Sequence, residues 1–588
     1  MERTMEKLRQ EQIEDLFSRR LKNTRAIFFF FFLLVFAFLF KIQVIQHQSL
    51  SAGAESGKYM KVSIPVPRGT IYDRNGRILA VSIPFYSAYM DSWAVAHREK
   101  KEPGYRSRLK QEFKDTLGMS EKEAEEKIGQ TYPLLRRELS IGQYRTLAEK
   151  KLPGIVFEQD YKRTYPNNRL ACHVVGFTGV DGEGLEGIEM YYNGLLKGTK
   201  GSSLVLRDGK GTLLYSVEKK LVQPVKGKDI VLTLDYNLQF ILEEELSRAY
   251  TQFNAKSVSA VIMDYETGEV LALANVPNYD LNRPGSASPD ERRNRVVTDL
   301  FEPGSTFKIV TAAAAIEENV FTPNDVIHCE NGKWFVRNHY LRDVHSYGSL
   351  TVSKVIEKSS NIGTVKIAMN LGERKLYDYC TKFGFGQVTG IDIPGEIRGI
   401  LRPLNRWSGY SITAIPIGQE VGINALQGVR AMSVIANGGY LVKPHLLREI
   451  KEEVSSIKTN ISGAGDQVLS EKTCDVLRGI LENVTRPGGT APQTHIDGYR
   501  ISGKTGTAQK IINGHYSKNS YVGSFSGFLN GSDEKLIIQV TVDEPRPIYY
   551  GGLVAGPAFR NVLWRSLQYL NVPPSGEEEE RKIALNKK

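Results

Sequence analysis

Cysteine is scarce in this chain: Cys172, Cys329, Cys380 and Cys474 are the whole set in 588 residues. They lie far apart with no CxxC pair, so zinc-ribbon and haem-attachment spacings are absent. A compact disulfide scaffold is excluded by their rarity, although one or two bridges stay open. The nine histidines are scattered without an HExxH, and a metal enzyme is not expected. A basic stripe interleaved with aromatics is also missing. The formal net charge of +11 therefore points to solvated surface and to anionic membranes or polymers rather than to nucleic acid. Only one stretch is apolar enough to approach a membrane span. The chain as a whole is 41% hydrophobic and 24% charged, a globular composition, and its length exceeds one ordinary core, so two or more domains are expected.

The apolar stretch is Ala26 to Phe40, AIFFFFFLLVFAFLF. It falls about five residues short of the roughly 20 that cross a bilayer. Lys41 can snorkel, which extends the span through Ile42, Val44 and Ile45. Arg19, Arg20, Lys22 and Arg25 precede it, and the positive-inside rule places them in the cytoplasm. The expected order is a cytoplasmic tail over 1–25, a transmembrane helix over 26–45 and an extracytoplasmic remainder. A cleaved signal peptide is the rival, since Ala52-Gly53-Ala54 has the small-residue pattern of a cleavage site; that site sits behind the polar stretch KIQVIQHQ, which favours an uncleaved anchor.

Two regions follow. Over 46–225 strand-like and helix-like segments alternate: RGTIYDRNGRILA reads as strand, turn, strand, and Ser120 with Glu123 forms a candidate capping box in a charged helical stretch. No nucleophile and base stand together there, so a binding or spacing module is expected. Over 226–572 the texture changes. KDIVLTLDYNLQFILEEEL reads as a strand running into a helix, SVSAVIMDYETGEVLALAN as a hairpin, Ser305 to Val320 and Ala431 to Ala436 as apolar helices, and KLIIQVTVDEP as a late strand. Strands at both ends with helices between fit an α/β (α+β) domain, a sheet flanked by helices on both faces. Residues 573–588 read as a disordered tail.

Three short patterns carry chemistry. Ser305-Thr306-Phe307-Lys308 opens an apolar helix behind Pro303-Gly304, so the serine and lysine share one face with Cβ atoms about 5–6 Å apart. A serine hydroxyl needs a base, and a lysine serves only when burial or a neighbouring cation lowers its pKa. The same spacing recurs at Ser107/Lys110, Ser216/Lys219, Ser455/Lys458 and Ser532/Lys535, in charged or turn-rich surroundings that read as accidental. Ser359-Ser360-Asn361 interrupts two helical stretches, where polar groups can project into a cleft. Lys504-Thr505-Gly506-Thr507 places a cation and a hydroxyl beside a glycine; on a strand edge Gly506 would let a substrate backbone lie close, and Thr507 could lend an N–H to an oxyanion hole. Gly498 to Thr505 also fits GxxxxGK[ST], but no apolar strand precedes it and no good helix follows, so nucleotide binding is disfavoured.

Taken in order, SxxK, SxN and KTG resemble the signature set of penicillin-binding proteins and serine β-lactamases. EPGSTFK, IGQEVGINALQ, ANGGYLVKP, SFSGF and YYGGLVAGPAFRNV look like the transpeptidase domain of class B penicillin-binding proteins. RGTIYDRNGRILA, RTYP with HVVGFTG, and GLEGIEMYYNGLLKGTKG look like that class's N-terminal pedestal, the dimerisation-type domain. EPGSTFK and GEGLEGIE resemble the division-specific type, penicillin-binding protein 3, more than the elongation type. A departure is Ser360, where β-lactamases often carry aspartate.

The resemblance implies a serine D,D-transpeptidase that cross-links peptidoglycan stem peptides. Ser305 would attack D-Ala-D-Ala and Lys308 would take its proton. Ser359 and Asn361 would relay protons and orient substrate, and Lys504 would hold Lys308 partly neutral. Thr505, Gly506 and Thr507 would line the substrate, β-lactams would acylate Ser305, and no metal or organic cofactor would be needed. A polytopic glycan polymerase and other division proteins are the implied partners. A β-lactam receptor or scaffold and a β-lactamase share these motifs. The single span and the large pedestal argue against each in turn.

Overall fold

The computed structural model describes residues 2–51, 59–207, 213–451, 456–458 and 465–574. Ala52-Gly53-Ala54, Ser455 and the tail from Ser575 lie outside the described residues. Helix α1 (Glu2–Phe40) continues into a π turn over Lys41–Ile45. The stretch Thr4–Ile45 is long and apolar enough to cross a membrane, and its phenylalanines are exposed, as a lipid-facing helix requires.

By packing the chain divides into two units, 1–66 with 85–160 and 200–225, and 67–84 with 161–199 and 226–588. In the first, helices Ser92–Lys101, Tyr105–Leu117, Glu121–Ile128 and Ile141–Glu149 close over Leu109, Phe113, Leu117 and Leu147. The Ser120 hydroxyl accepts from the Glu123 N–H at 3.2 Å, half of the expected box. The reciprocal pair is complete at Ser140 and Gln143 instead. Strands Tyr59–Ile64, Gly201–Arg207 and Leu213–Val222 pair antiparallel in a separate sheet.

The second unit is built on one antiparallel sheet. Its elements are α2 (Tyr236–Gln252), β1 (Ser257–Asp264), β2 (Val270–Val276), α3 (Lys308–Glu317), α4 (Val352–Glu357), α5 (Asn361–Leu371), α6 (Ala425–Ala436), α7 (Glu471–Thr485), β3 (Arg500–Ile512), β4 (His515–Asn530), β5 (Leu536–Asp543) and α8 (Gly556–Tyr569). The strand order is β2-β1-β5-β4-β3, which leaves β3 at an edge. Alternation along β1 sorts the two faces. Val258, Ala260 and Ile262 join the core of α2 and α8, whereas Val261 and Met263 join that of α3, α5, α6 and α7.

Two expectations change. Ser305 sits in a 3₁₀ turn, Gly304–Phe307, and the α-helix begins only at Lys308 and ends at Glu317 rather than Val320. Asn319, with φ +53°, has the left-handed backbone that ends helices. All four cysteines are free and buried, so none of the bridges left open by their number forms.

Candidate active site

Two glycines bring the Ser305 turn against the sheet edge. Gly304 has φ +54°, and a methyl group there would lie 2.7 Å from the Thr507 carbonyl oxygen. At Gly418 a methyl group would lie 2.1 Å from the Gly304 oxygen, and the Gly304 N–H donates to the Gly418 carbonyl at 3.1 Å. Only backbone without Cβ fits so closely. Ser305, half-buried, is thereby set beside the Lys504–Thr507 stretch of β3. The Gly551 N–H donates to the Thr507 hydroxyl at 2.9 Å and holds that stretch from the far side.

Lys308 is fully buried. Its Nζ donates to the Ser359 carbonyl at 2.6 Å, the Ser359 hydroxyl at 3.2 Å and the Asn361 Oδ1 at 2.7 Å. Lys504, also buried, donates from Nζ to the same Ser359 hydroxyl at 3.1 Å and reaches Thr505 Oγ1 at 3.5 Å. One hydroxyl thus bridges two buried amines. Ser359 does this from φ +60°, a conformation that costs a non-glycine residue about 1–3 kcal/mol.

Such burial governs the charges. Lys308 is held well below the ordinary lysine value, first by burial and second by the Lys504 cation, with Asp343 pulling the other way. Like-charge repulsion, the cause expected from the motifs, is therefore the smaller of the two. Burial alone pushes Lys504 down to about 7. A lowered pKa enlarges the neutral fraction of an amine, and only the neutral amine can accept a proton from a hydroxyl.

Asp343 escaped the sequence reading. Its carboxylate accepts from the Ser360 hydroxyl at 2.6 Å, the Asn361 N–H at 2.5 Å and the Ile362 N–H at 3.0 Å. It thus caps the start of α5 and orients Ser359 and Asn361 without touching either lysine's nitrogen. A lone aspartate in RDVHS carries no motif that would have disclosed it. Among the described residues no cluster of histidine, cysteine and carboxylate suits a metal ion.

The sheet with its edge-strand lysine, opposite a serine turn and a buried lysine, is the architecture of a penicillin-binding transpeptidase, and comparison with known proteins agrees. Residues 258–564 match the penicillin binding protein transpeptidase domain and residues 63–232 the penicillin-binding protein dimerisation domain. The chain is 34% identical over 538 residues to the probable peptidoglycan D,D-transpeptidase PenA of Neisseria meningitidis, covering 91% of this chain and 90% of that protein. Against the peptidoglycan D,D-transpeptidase FtsI of Escherichia coli K12 it is 30% identical over 539 residues, covering 91% and 89%. Penicillin binding protein 3 of Mycobacterium tuberculosis, complexed with aztreonam, superposes with a TM-score of 0.67 at 29% identity, covering 87% of this chain and 99% of that one. The chain belongs to the class B penicillin-binding proteins, and it is a peptidoglycan D,D-transpeptidase.

Proposed function

We propose that the chain cross-links stem peptides through a serine acyl-enzyme and does so in septal wall synthesis during division. The observation that carries the mechanism is the Ser359 hydroxyl shared by two buried lysines, because it links a depressed amine to a second proton carrier. Ser305 Oγ attacks the penultimate D-Ala carbonyl while its proton passes to Lys308 Nζ. The backbone N–H groups of Ser305 and Thr507 receive the oxyanion. Collapse breaks the C–N bond to the terminal D-Ala, whose nitrogen takes a proton relayed through Ser359. An amine of a neighbouring stem peptide then attacks the ester, a C–N bond forms, and Ser305 Oγ leaves and regains its proton. Asn361 orients the donor peptide along Gly506. Lys504 and Thr505 hold the terminal carboxylate.

The same reading places residues 1–25 in the cytoplasm, 26–45 in the membrane, a pedestal over 46–225 and the transpeptidase domain over 226–572 outside the cytoplasmic membrane. The Arg19–Arg25 charges support that orientation. A polytopic glycan polymerase is the partner expected at the anchor and pedestal.

The test is intact-protein mass spectrometry after penicillin, wild type beside Ser305→Ala. A penicilloyl adduct mapping to Ser305 is expected in the first and absent from the second. Labelling of the alanine variant to the wild-type level would remove Ser305 from its role. In the host, depletion is expected to give filaments rescued by the wild type and not by Ser305→Ala.

A further inference from the structure

Beside the lysine–serine cluster lies a cavity of about 560 Å³, within the range of small-molecule sites. Its lining includes the chain just before the Ser305 turn, Leu300 to Glu302, and the strand just after Thr507, Ala508 to Ile511. Ala508, Val522, Asp543 and Ser257, which also line it, are successive cross-strand neighbours. Ala508 and Lys504 are four residues apart on β3 and so share a face. The cavity therefore lies on the side of the sheet that carries Lys504.

Glu302 is its distinctive group. Oε1 accepts from the Glu420 N–H at 2.9 Å and from the Tyr516 hydroxyl at 3.1 Å. Oε2 is buried with no partner among the described residues. Burial and the neighbouring Glu420 push this carboxyl above the usual range. A buried acceptor left unmade costs about 1–3 kcal/mol, more when charged, so a donor is favoured there and a cationic donor most. The cations around the cavity already have anions: Lys510 bonds Asp543 at 2.7 Å, Arg402 bonds Glu420 at 2.6 Å and Arg295 bonds Asp299 at 3.3 Å. The unmet demand is for positive charge. Glu302 lies three positions before Ser305, so their Cα atoms stand at most about 11 Å apart.

We propose that this cavity docks the acceptor of transpeptidation, a stem peptide whose side-chain ammonium binds the Glu302 carboxylate beside the acylated Ser305. The proposal rests on the acyl-enzyme reading above and adds the substrate that reading leaves unplaced. Apolar lining from Phe301, Val421 and Val522 suits the methylene stem that carries such an ammonium.

The experiment uses the full chain in detergent, a thioester donor, and L-Ala-γ-D-Glu-L-Lys or its meso-diaminopimelate counterpart as acceptor, with transfer and hydrolysis products counted by mass spectrometry. Glu302→Gln keeps an oxygen for Glu420 and Tyr516 but loses the charge. The ratio of transfer to hydrolysis is expected to fall at least about tenfold, since a hydrogen bond to a charged group is worth that much. A ratio unchanged from wild type, whatever happens to acylation, overturns the proposal. So does a wild type that hydrolyses the donor yet transfers to neither peptide. Should Glu302→Gln not fold, Leu300→Trp carries the same test: Leu300 is exposed at the cavity, narrowing there is expected to lower the ratio, and an unchanged ratio is the negative result. Failure of the acyl-enzyme reading shows separately, as a wild type that forms no Ser305 ester with the donor.

Discussion

In the proposed mechanism Lys308 and Lys504 set the pH response. If neutral Lys308 takes the Ser305 proton, acylation slows as pH falls and that amine protonates. Removing the Lys504 cation favours charged Lys308, so in Lys504→Met the acid limb is expected to move to higher pH. Asp343 acts with the opposite sign, and in Asp343→Asn the limb is expected to move lower. Second-order labelling rates with a fluorescent penicillin from about pH 5 to 9 would read both shifts, and movement of the two limbs in one direction would refute the assignment. Stability follows from the same burial. The folded value of Lys504 is lowered to about 7 from 10.5, so across that window the unfolded chain binds a proton the folded one refuses. Its stabilising contribution is complete above the ordinary value and is lost as pH falls toward 7, and the methionine variant lacks that slope.

At the scale of elements, the start of α5 explains why serine occupies position 360. The Ser360 hydroxyl donates to Asp343 and accepts from the Gly363 N–H at 3.0 Å. It is buried, with the carboxylate already supplied from the strand–loop segment at 339–343. Ser360→Asp would set two carboxylates against each other in a buried place. A loss of about 1–3 kcal/mol is expected in urea unfolding, with slower penicillin labelling. An unchanged midpoint would mean that the second carboxylate is accommodated. This element also shows what the sequence discloses. The break between α4 and α5, the hairpin of β1 and β2 and the strand of β5 were readable, because periodicity and local turn chemistry encode them. The cap from Asp343 was not, since it joins residues on different elements with no shared pattern. Nor was the 3₁₀ geometry at Ser305, which Gly304 adopts because Thr507 and Gly418 crowd it.

For the whole molecule, the N-terminal motifs acquire a physical meaning that their text alone withholds. Arg68 of RGT, Arg163 of RTYP and Glu189 of GIE meet in one buried cluster of the second unit. Arg68 Nε lies 2.5 Å from Glu189 Oε2 and Arg163 Nε 2.6 Å from Oε1, and the Glu189 side chain is wholly buried. Arg68 Nη2 also donates to the Glu189 carbonyl at 2.6 Å and Arg163 Nη1 to the Gly69 carbonyl at 2.8 Å. Segments 67–84 and 161–199 are thereby tied together through one carboxylate. Glu189→Gln keeps the shape and strands two guanidinium charges, and breaking a buried pair from one side costs about 3–5 kcal/mol. A fall of that size is expected in the urea-unfolding transition of the second unit, followed by tryptophan fluorescence of Trp334, Trp407 and Trp564. Asp378→Asn, which breaks the exposed Arg374–Asp378 pair at 3.3 Å, is expected to change stability by less than about 1 kcal/mol. Equal effects from the two variants would mean that the cluster does not hold these segments, and that the three motifs must then be explained by something other than stability.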